Sequence, residues 1–289
     1  MAQGQGAGPR RGGLESGARA LNSAASLTAG AAAILAAADP AAKTALSGDL
    51  ARTWRAGLLP LGAVRPPDRP ARPPRPLLCP PRAMPKRRAF GSARGRGALI
   101  HALAHIELNA IDLAWDIVAR FATPSLPRTF FDDWVGVAAE EAEHFALLAG
   151  RLGQLGMRYG DLPAHDGLWE AAAATADDLL ARLAVVPLVF EARGLDVTPP
   201  MRDRLLRAGD PESATLLDRL YRDEIGHVAV GRRWFEVICE ARGLASVASF
   251  HDLVRRRLKG GLKPPFNHAA RAAAGFPAAY YAPLAAGED

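Results

Sequence analysis

Asp223-Glu224-Ile225-Gly226-His227 and its near-copy upstream, Glu140-Glu141-Ala142-Glu143-His144, decide how this chain is read. Each contains Glu-x-x-His inside a segment whose apolar residues recur at helical spacing. On a helix the i, i+3 relation sets the carboxylate and the imidazole side by side on one face. Two such pairs, with one inward glutamate from each of two further helices, form a donor set that holds two metal ions inside a four-helix bundle. The two further glutamates therefore have to be found.

Working outward, residues 97–121 carry the clearest periodicity. With Glu107 as reference on a 3.6-residue wheel, Ile100, Leu103, Ala104, Ile111, Ala114 and Val118 fall within about 60° of it, so Glu107 lies in the middle of an apolar stripe. Thr123-Pro124 and Pro127 break the chain, and a helix is expected over 129–155 with Trp134, Val137, Ala138, Phe145, Leu148 and Leu152 around Glu141. A loop follows over 156–167. A third helix is expected over 168–193, with Ala173, Ala176, Leu180, Ala184 and Leu188 on the face that also bears Glu191. Pro187, one turn before Glu191, should bend this helix or force a wider turn. Residues 194–210, with Pro199-Pro200, read as a connection holding at most one helical turn. The fourth helix begins at Pro211 behind an Asp210 N-cap and carries Glu224 among Leu217, Leu220, Val228, Phe235 and Ile238.

The candidate ligands are thus Glu107, Glu141, His144, Glu191, Glu224 and His227, and their order repeats. Glu107 precedes Glu141 by 34 residues and Glu191 precedes Glu224 by 33, which describes two helix hairpins, each giving Glu and then Glu-x-x-His. Four buried carboxylates repel one another and are costly to desolvate. Two divalent cations offset them, and mixed carboxylate and imidazole donors suit iron, with manganese the alternative, better than zinc. Asp223 and Glu140, each beside a ligand glutamate, are placed to orient the histidines crosswise, Asp223 on His144 and Glu140 on His227, with solvated helix-surface acids as the alternative reading. Tyr221, one turn before Glu224, reads as a core tyrosine or as a hydrogen-bond donor to the site. His101, His105, Asp112 and Asp116 form a polar row on the opposite side of the Glu107 helix, expected to be solvated or covered by another segment.

The rest of the 289-residue chain frames that bundle. With 49% hydrophobic residues, rich in Ala, Leu, Arg and Glu and poor in Val/Ile/Thr runs, it is expected to be an all-α protein. Residues 1–17 read as a disordered tail, 18–59 as an N-terminal helical segment, 60–96 as an extended Pro/Arg-rich arm, 97–245 as the bundle, and 246–289 as a C-terminal helix and tail packed on it. The net charge of +6 is local, because residues 51–98 hold twelve Lys or Arg against the single acid Asp68 and the remainder is net acidic. The arm's default reading is a solvated wrap around the bundle; nucleic acid or another acidic partner is the lesser alternative, since no aromatic residues interleave its arginines. Cys79 and Cys239 suggest neither a zinc site nor a disulfide framework, no stretch makes a good membrane span, and a cytoplasmic location is expected.

Several longer strings carry a resemblance. His101-Ala-Leu-Ala-His-Ile-Glu-Leu-Asn-Ala-Ile-Asp-Leu, Glu140-Glu-Ala-Glu-His-Phe, Tyr159-Gly-Asp-Leu-Pro-Ala-His-Asp-Gly-Leu-Trp-Glu, Phe190-Glu-Ala-Arg-Gly-Leu-Asp-Val-Thr-Pro and Asp223-Glu-Ile-Gly-His-Val-Ala-Val-Gly resemble the bacterial ferritin-like proteins of domain-of-unknown-function family 455. The resemblance spans residues 18–281 or so. It implies a ferritin-like four-helix bundle with a dinuclear metal site at the six residues named. A more distant similarity, in fold and ligand pattern only, is to the di-iron tRNA hydroxylases. The expected function is an oxidoreductase that activates O₂ or peroxide with two Fe ions, its substrate and electron donor left open. The alternatives are iron handling, by ferroxidation, storage or peroxide disposal, and a metal-stabilised helical scaffold that binds RNA through the arm.

Overall fold

The computed structural model describes residues 25–84, 90–258 and 261–286. The expected tail over 1–17, the start of the expected helix at 18–24 and the arm residues Lys86, Arg87 and Arg88 lie outside the described residues.

The described residues are helical, with only two isolated bridge pairs in place of a sheet. In chain order the helices are α1 (Leu27–Ala36), α2 (Pro40–Arg55), α3 (Ala93–Arg120), α4 (Arg128–Gln154), α5 (Gly167–Ala173), α6 (Leu179–Val185), α7 (Ala192–Arg207), α8 (Pro211–Ala241), α9 (Ser246–Arg257), α10 (His268–Ala273) and α11 (Ala278–Tyr281). A π-helical turn, Val186–Glu191, joins α6 to α7. The bundle pairs α3 with α4 and α7 with α8; α6 and the π turn also lie on α8, and α4 meets α8 across the middle. The helices α1 and α2 cover the outside of α3 and α4. None of the described helices is long and apolar enough to cross a membrane.

Local chemistry sets the helix ends. Asp39 accepts from the Ala42 N–H at the start of α2 and Asp210 from the Ser213 N–H at the start of α8, each followed by proline at the first helical position. Asp210 is buried and also pairs with Arg96 and Arg151, so one carboxylate caps α8 and ties it to α3 and α4.

The third helix departs from expectation at both ends. Instead of running over 168–193 it is broken after Ala173 and restarts at Leu179. The break is held by side chains: Asp178 caps α6 through the Leu180 N–H, the Thr175 hydroxyl donates to Ala171 O, and the buried Arg182 donates to Ala172 O and to Thr175 Oγ1. Arg182 also binds Asp116 of α3 at 2.5 Å, which anchors the break to the bundle. Residues 192–207, expected as a connection, form a helix in spite of Pro199 and Pro200. Proline at 199 has no N–H for the Leu195 carbonyl, and Asn267 Nδ2 donates to that carbonyl at 3.1 Å instead. The wider turn expected at Pro187 is present as the π turn.

Of the two readings of the polar row of α3, solvated or covered by another segment, the covered one holds, and all four residues are buried. Asp112 takes Lys43 of α2 and Arg72 of the arm, and Asp116 takes Arg120 and Arg182. His101 Nε2 accepts from the Gly160 N–H. His105 Nε2 faces the His165 carbonyl, so it carries the proton, and Nδ1 accepts from the Tyr159 hydroxyl at 2.8 Å. Burial holds His105 neutral by lowering its pKa to about 4. Arg69 pairs with Asp166, Arg72 also reaches Asn109, and the arm meets the 160s loop through the Leu78–Ala164 bridge. These arginines of the arm are spent on intramolecular pairs.

Candidate metal centre

Four helical segments bring the candidate ligands together. Glu107 sits near the middle of α3, Glu141 and His144 on one face of α4, Glu191 at the end of the π turn, and Glu224 with His227 on one face of α8. Ile111, Leu148, Leu188 and Val228 around them are fully buried, so these polar groups face an apolar interior.

Two overlapping groups can hold a metal ion: Glu107 with Glu141 and His144, and Glu141 with Glu224 and His227. Within each group one ligand atom per residue lies inside a 4.8 Å span. Glu141 belongs to both and is fully buried. Its Oε2 lies 3.5 Å from His144 Nδ1 and its Oε1 3.0 Å from His227 Nδ1, while Glu107 Oε2 lies 3.4 Å from His144 Nδ1. Glu191 stands outside both groups but faces the same cavity as Glu107 and Glu224, and the charge of Glu224 acts on it.

The short distances are not hydrogen bonds. Glu107 Oε2, both oxygens of Glu141, His144 Nδ1, Glu191 Oε2, Glu224 Oε2 and His227 Nδ1 are all buried and lack a hydrogen-bond partner. A buried polar atom left unpaired costs about 1–3 kcal/mol, and more if charged, so seven in one place call for a shared partner. A divalent cation fits: the unpaired atoms are carboxylate oxygens and imidazole nitrogens aimed at common points.

The far side of each histidine is already engaged. His144 Nε2 lies 3.0 Å from Asp223 Oδ2 and His227 Nε2 lies 2.8 Å from Glu140 Oε2, the crosswise arrangement read from the sequence. A carboxylate there accepts the hydrogen bond from Nε2–H, which leaves Nδ1 as the atom that faces the cluster and that a metal ion would bind. Tyr221 is placed elsewhere: its hydroxyl accepts from Asn267 Nδ2 at 3.1 Å and ties α8 to the C-terminal segment.

Among themselves the six side chains share charge unevenly. Burial first, and the neighbouring Glu141 charge second, hold Glu107 well above the ordinary carboxylate range. Burial and the Glu224 charge do the same to Glu191, and burial raises Glu224. Burial also opposes ionisation of Glu141, but the His227 charge and the adjoining Glu107 and His144 outweigh it and hold this carboxyl well below its usual range. His144 resists charge through burial, yet Glu107 and Glu141 lift it to about 11.

A cavity of about 250 Å³ leads from outside to Glu107, Glu191 and Glu224. Its walls are largely apolar, with Leu103, Ile106, Val197 and Met201 among them, and Phe190 and Arg193 also line it. Reading 194–210 as a connection concealed the α7 half of this wall. The i, i+4 spacing of Val197 and Met201 was the available signal.

An all-helical chain with clustered carboxylates and imidazoles able to take a metal ion is the class these observations define. Residues 36–282 match the model of the family described as "Protein of unknown function (DUF455)", and the chain belongs to that family. It is similar to an uncharacterized protein of Haemophilus influenzae, 42% identical over 209 residues, covering 71% of this chain and 72% of the relative. No solved structure matches.

Proposed function

We propose that the chain is a ferritin-like protein with a dinuclear carboxylate centre, and that it is an oxidoreductase that activates O₂ or peroxide, a hydroxylase being the favoured form. The observation that carries this reading is the unpaired state of the seven buried ligand atoms on six residues from four helical segments. Glu107, Glu141 and His144 would hold one ion, and Glu141, Glu224 and His227 the other, with Glu191 completing the set on the Glu224 side. Iron is the first choice and manganese the second, on the hardness of the donors. Two such ions supply redox electrons and Lewis acidity that no side chain of this chain has.

The protein's own contribution is orientation and exclusion of water. Asp223 and Glu140 hold the Nε2 protons of His144 and His227 and so fix the tautomer and ring direction. The π turn aims Glu191, because the extra residue in that turn advances everything after Val186 relative to α6. The apolar cavity gives a small substrate a route to Glu107, Glu191 and Glu224, which favours an enzyme over a pure iron store. The intramolecular pairing of Arg69, Arg72 and Arg96 counts against the arm as an RNA-binding surface.

Metal analysis of the purified chain beside Glu141→Ala and Glu224→Ala tests the centre. About two ions per wild-type chain and a loss in both variants are expected. Unchanged metal content in both variants would refute the assignment. Oxygen uptake by the Fe(II)-loaded chain then separates the functions: consumption that stops after the bound iron is oxidised fits the enzyme reading, and continued uptake with growing iron content per chain fits storage.

A further inference from the structure

Asp196 of α7 serves two guanidinium groups at once. Arg271 of α10 binds it in a two-pronged fashion, Nε to Oδ1 at 2.9 Å and Nη2 to Oδ2 at 2.7 Å, and Arg193 Nη1 lies 3.3 Å from the same Oδ2. One carboxylate therefore answers two cations, and one positive charge is left over. Arg193 is fixed in place by neutral groups, its Nη1 donating to Lys263 O at 2.8 Å and Pro265 O at 3.0 Å. Arg271 is only 2% exposed, and its Nη1 is buried without a hydrogen-bond partner.

Both arginines line one pocket, about 250 Å³ in volume, together with Lys263, Leu188, Leu262 and Phe266. Among the described residues no acidic side chain lines it. Phe190 and Arg193 line this pocket and also the cavity that reaches Glu107, Glu191 and Glu224, so the two volumes share these residues as walls. A cationic, preorganised recess thus adjoins an apolar passage to the carboxylates. Guanidinium groups with free donors and surplus charge favour a carboxylate or another small anion through charge-assisted hydrogen bonds.

We propose that the substrate class of this protein is an amphiphilic organic anion, whose anionic group sits between Arg193 and Arg271 and whose apolar chain passes Phe190 into the cavity that reaches Glu107, Glu191 and Glu224. Arg193 and Arg271 are substrate-positioning residues in this arrangement, with Val197 and Met201 on the apolar path. The proposal rests on the reading of the glutamate and histidine cluster as the reacting centre, and it adds which molecules reach it.

Calorimetric titration of the full chain with octanoate and with 1-octanol tests it, on both chelator-treated and Mn(II)-loaded protein. Octanoate is expected to bind about tenfold or more tighter than octanol, the worth of one charge-assisted contact. Arg193→Gln should erase that preference and leave octanol binding in place, while Arg193→Lys should keep part of it at wild-type stability. Val197→Trp, which fills the passage, should weaken both ligands. Equal affinity for the two ligands, or an octanoate preference that survives Arg193→Gln, overturns the proposal. Displacement of octanoate by a single-stranded oligonucleotide, with direct oligonucleotide binding lost in Arg193→Gln, also overturns it by assigning the recess to nucleic acid. An octanoate preference in a chain that takes up no metal would leave the recess standing and remove the centre. Metal uptake without the preference would do the reverse.

Discussion

Glu107→Gln should stabilise the metal-free chain and reduce the further stability that the chain gains from metal. Glu107 is 4% exposed, and burial together with the Glu141 charge holds its pKa well above the ordinary value of 4.5. In a chelator-treated chain the folded state therefore keeps the Glu107 proton to a higher pH than the unfolded state does. The sign follows: a carboxyl raised in the folded state contributes its full stability below pH 4.5 and loses it as the pH rises. Holding that proton at pH 7 costs at most about 3 kcal/mol, from 1.36 kcal/mol per pH unit above the unfolded value. Glutamine has the shape of the protonated acid and needs no proton. Glu107→Gln should thus stabilise the chelated chain by up to about 3 kcal/mol at pH 7 and by close to zero at pH 4.5. In saturating Mn(II) the variant lacks a charged ligand. A tenfold weaker affinity alone removes about 1.4 kcal/mol of metal-linked stability. Urea unfolding followed by far-ultraviolet circular dichroism, at both pH values, with chelator and with Mn(II), measures all four numbers. A destabilised chelated variant at pH 7 would refute the reasoning, because it would mean that Glu107 makes favourable charged contacts within the protein and needs no cation.

Three further perturbations separate the parts of the argument. Asp223→Asn and Glu140→Gln should each lower metal affinity about 10- to 100-fold by weakening the hold on a histidine, with little change in the chelated chain; equilibrium dialysis against a competing chelator reads this out. Gly231→Ala should destabilise the fold by about 1–2 kcal/mol even though alanine is the better helix former, because overpacking outweighs propensity. Its Cβ would lie 2.4 Å from Pro187 Cβ, in the turn that carries Glu191, whereas Gly226 on the same helix opens onto free space and Gly226→Ala should be stabilising in urea unfolding. Asp112→Ala leaves the buried ammonium of Lys43 unpaired and should cost about 3–5 kcal/mol, much of it recovered when Lys43→Met is added, as thermal unfolding of both variants will show.

Much of the site was legible because it rests on short-range rules. Glu107, Glu141 and Glu224 each stand among apolar residues at i±3, i±4 and i±7, and that periodicity alone turns a carboxylate inward. The Asp210 cap and the wide turn at Pro187 likewise depend on backbone chemistry within one helical turn. Non-local partners explain what was missed. The break at 174–178 depends on Arg182 reaching back to Ala172 O and across to Asp116. Whether the polar row of α3 was solvated or covered stayed open because its cations, Lys43 and Arg72, come from segments 69 and 40 residues away from Asp112.

The same limit explains why α7 was taken for a connection, and it bears on function. Two consecutive prolines normally end a helix, and nothing nearby in sequence replaces their missing donors. Asn267, 72 residues away, supplies one, and Asp196 on the same turn gathers Arg193 and Arg271. The C-terminal segment therefore completes α7 and builds the cationic recess through the same residues. It follows that Asn267→Ala should loosen α7 and reduce octanoate binding together, leaving the metal content set by α3, α4 and α8 largely intact. A variant that lost metal and kept octanoate would show that the recess and the centre are organised the other way round.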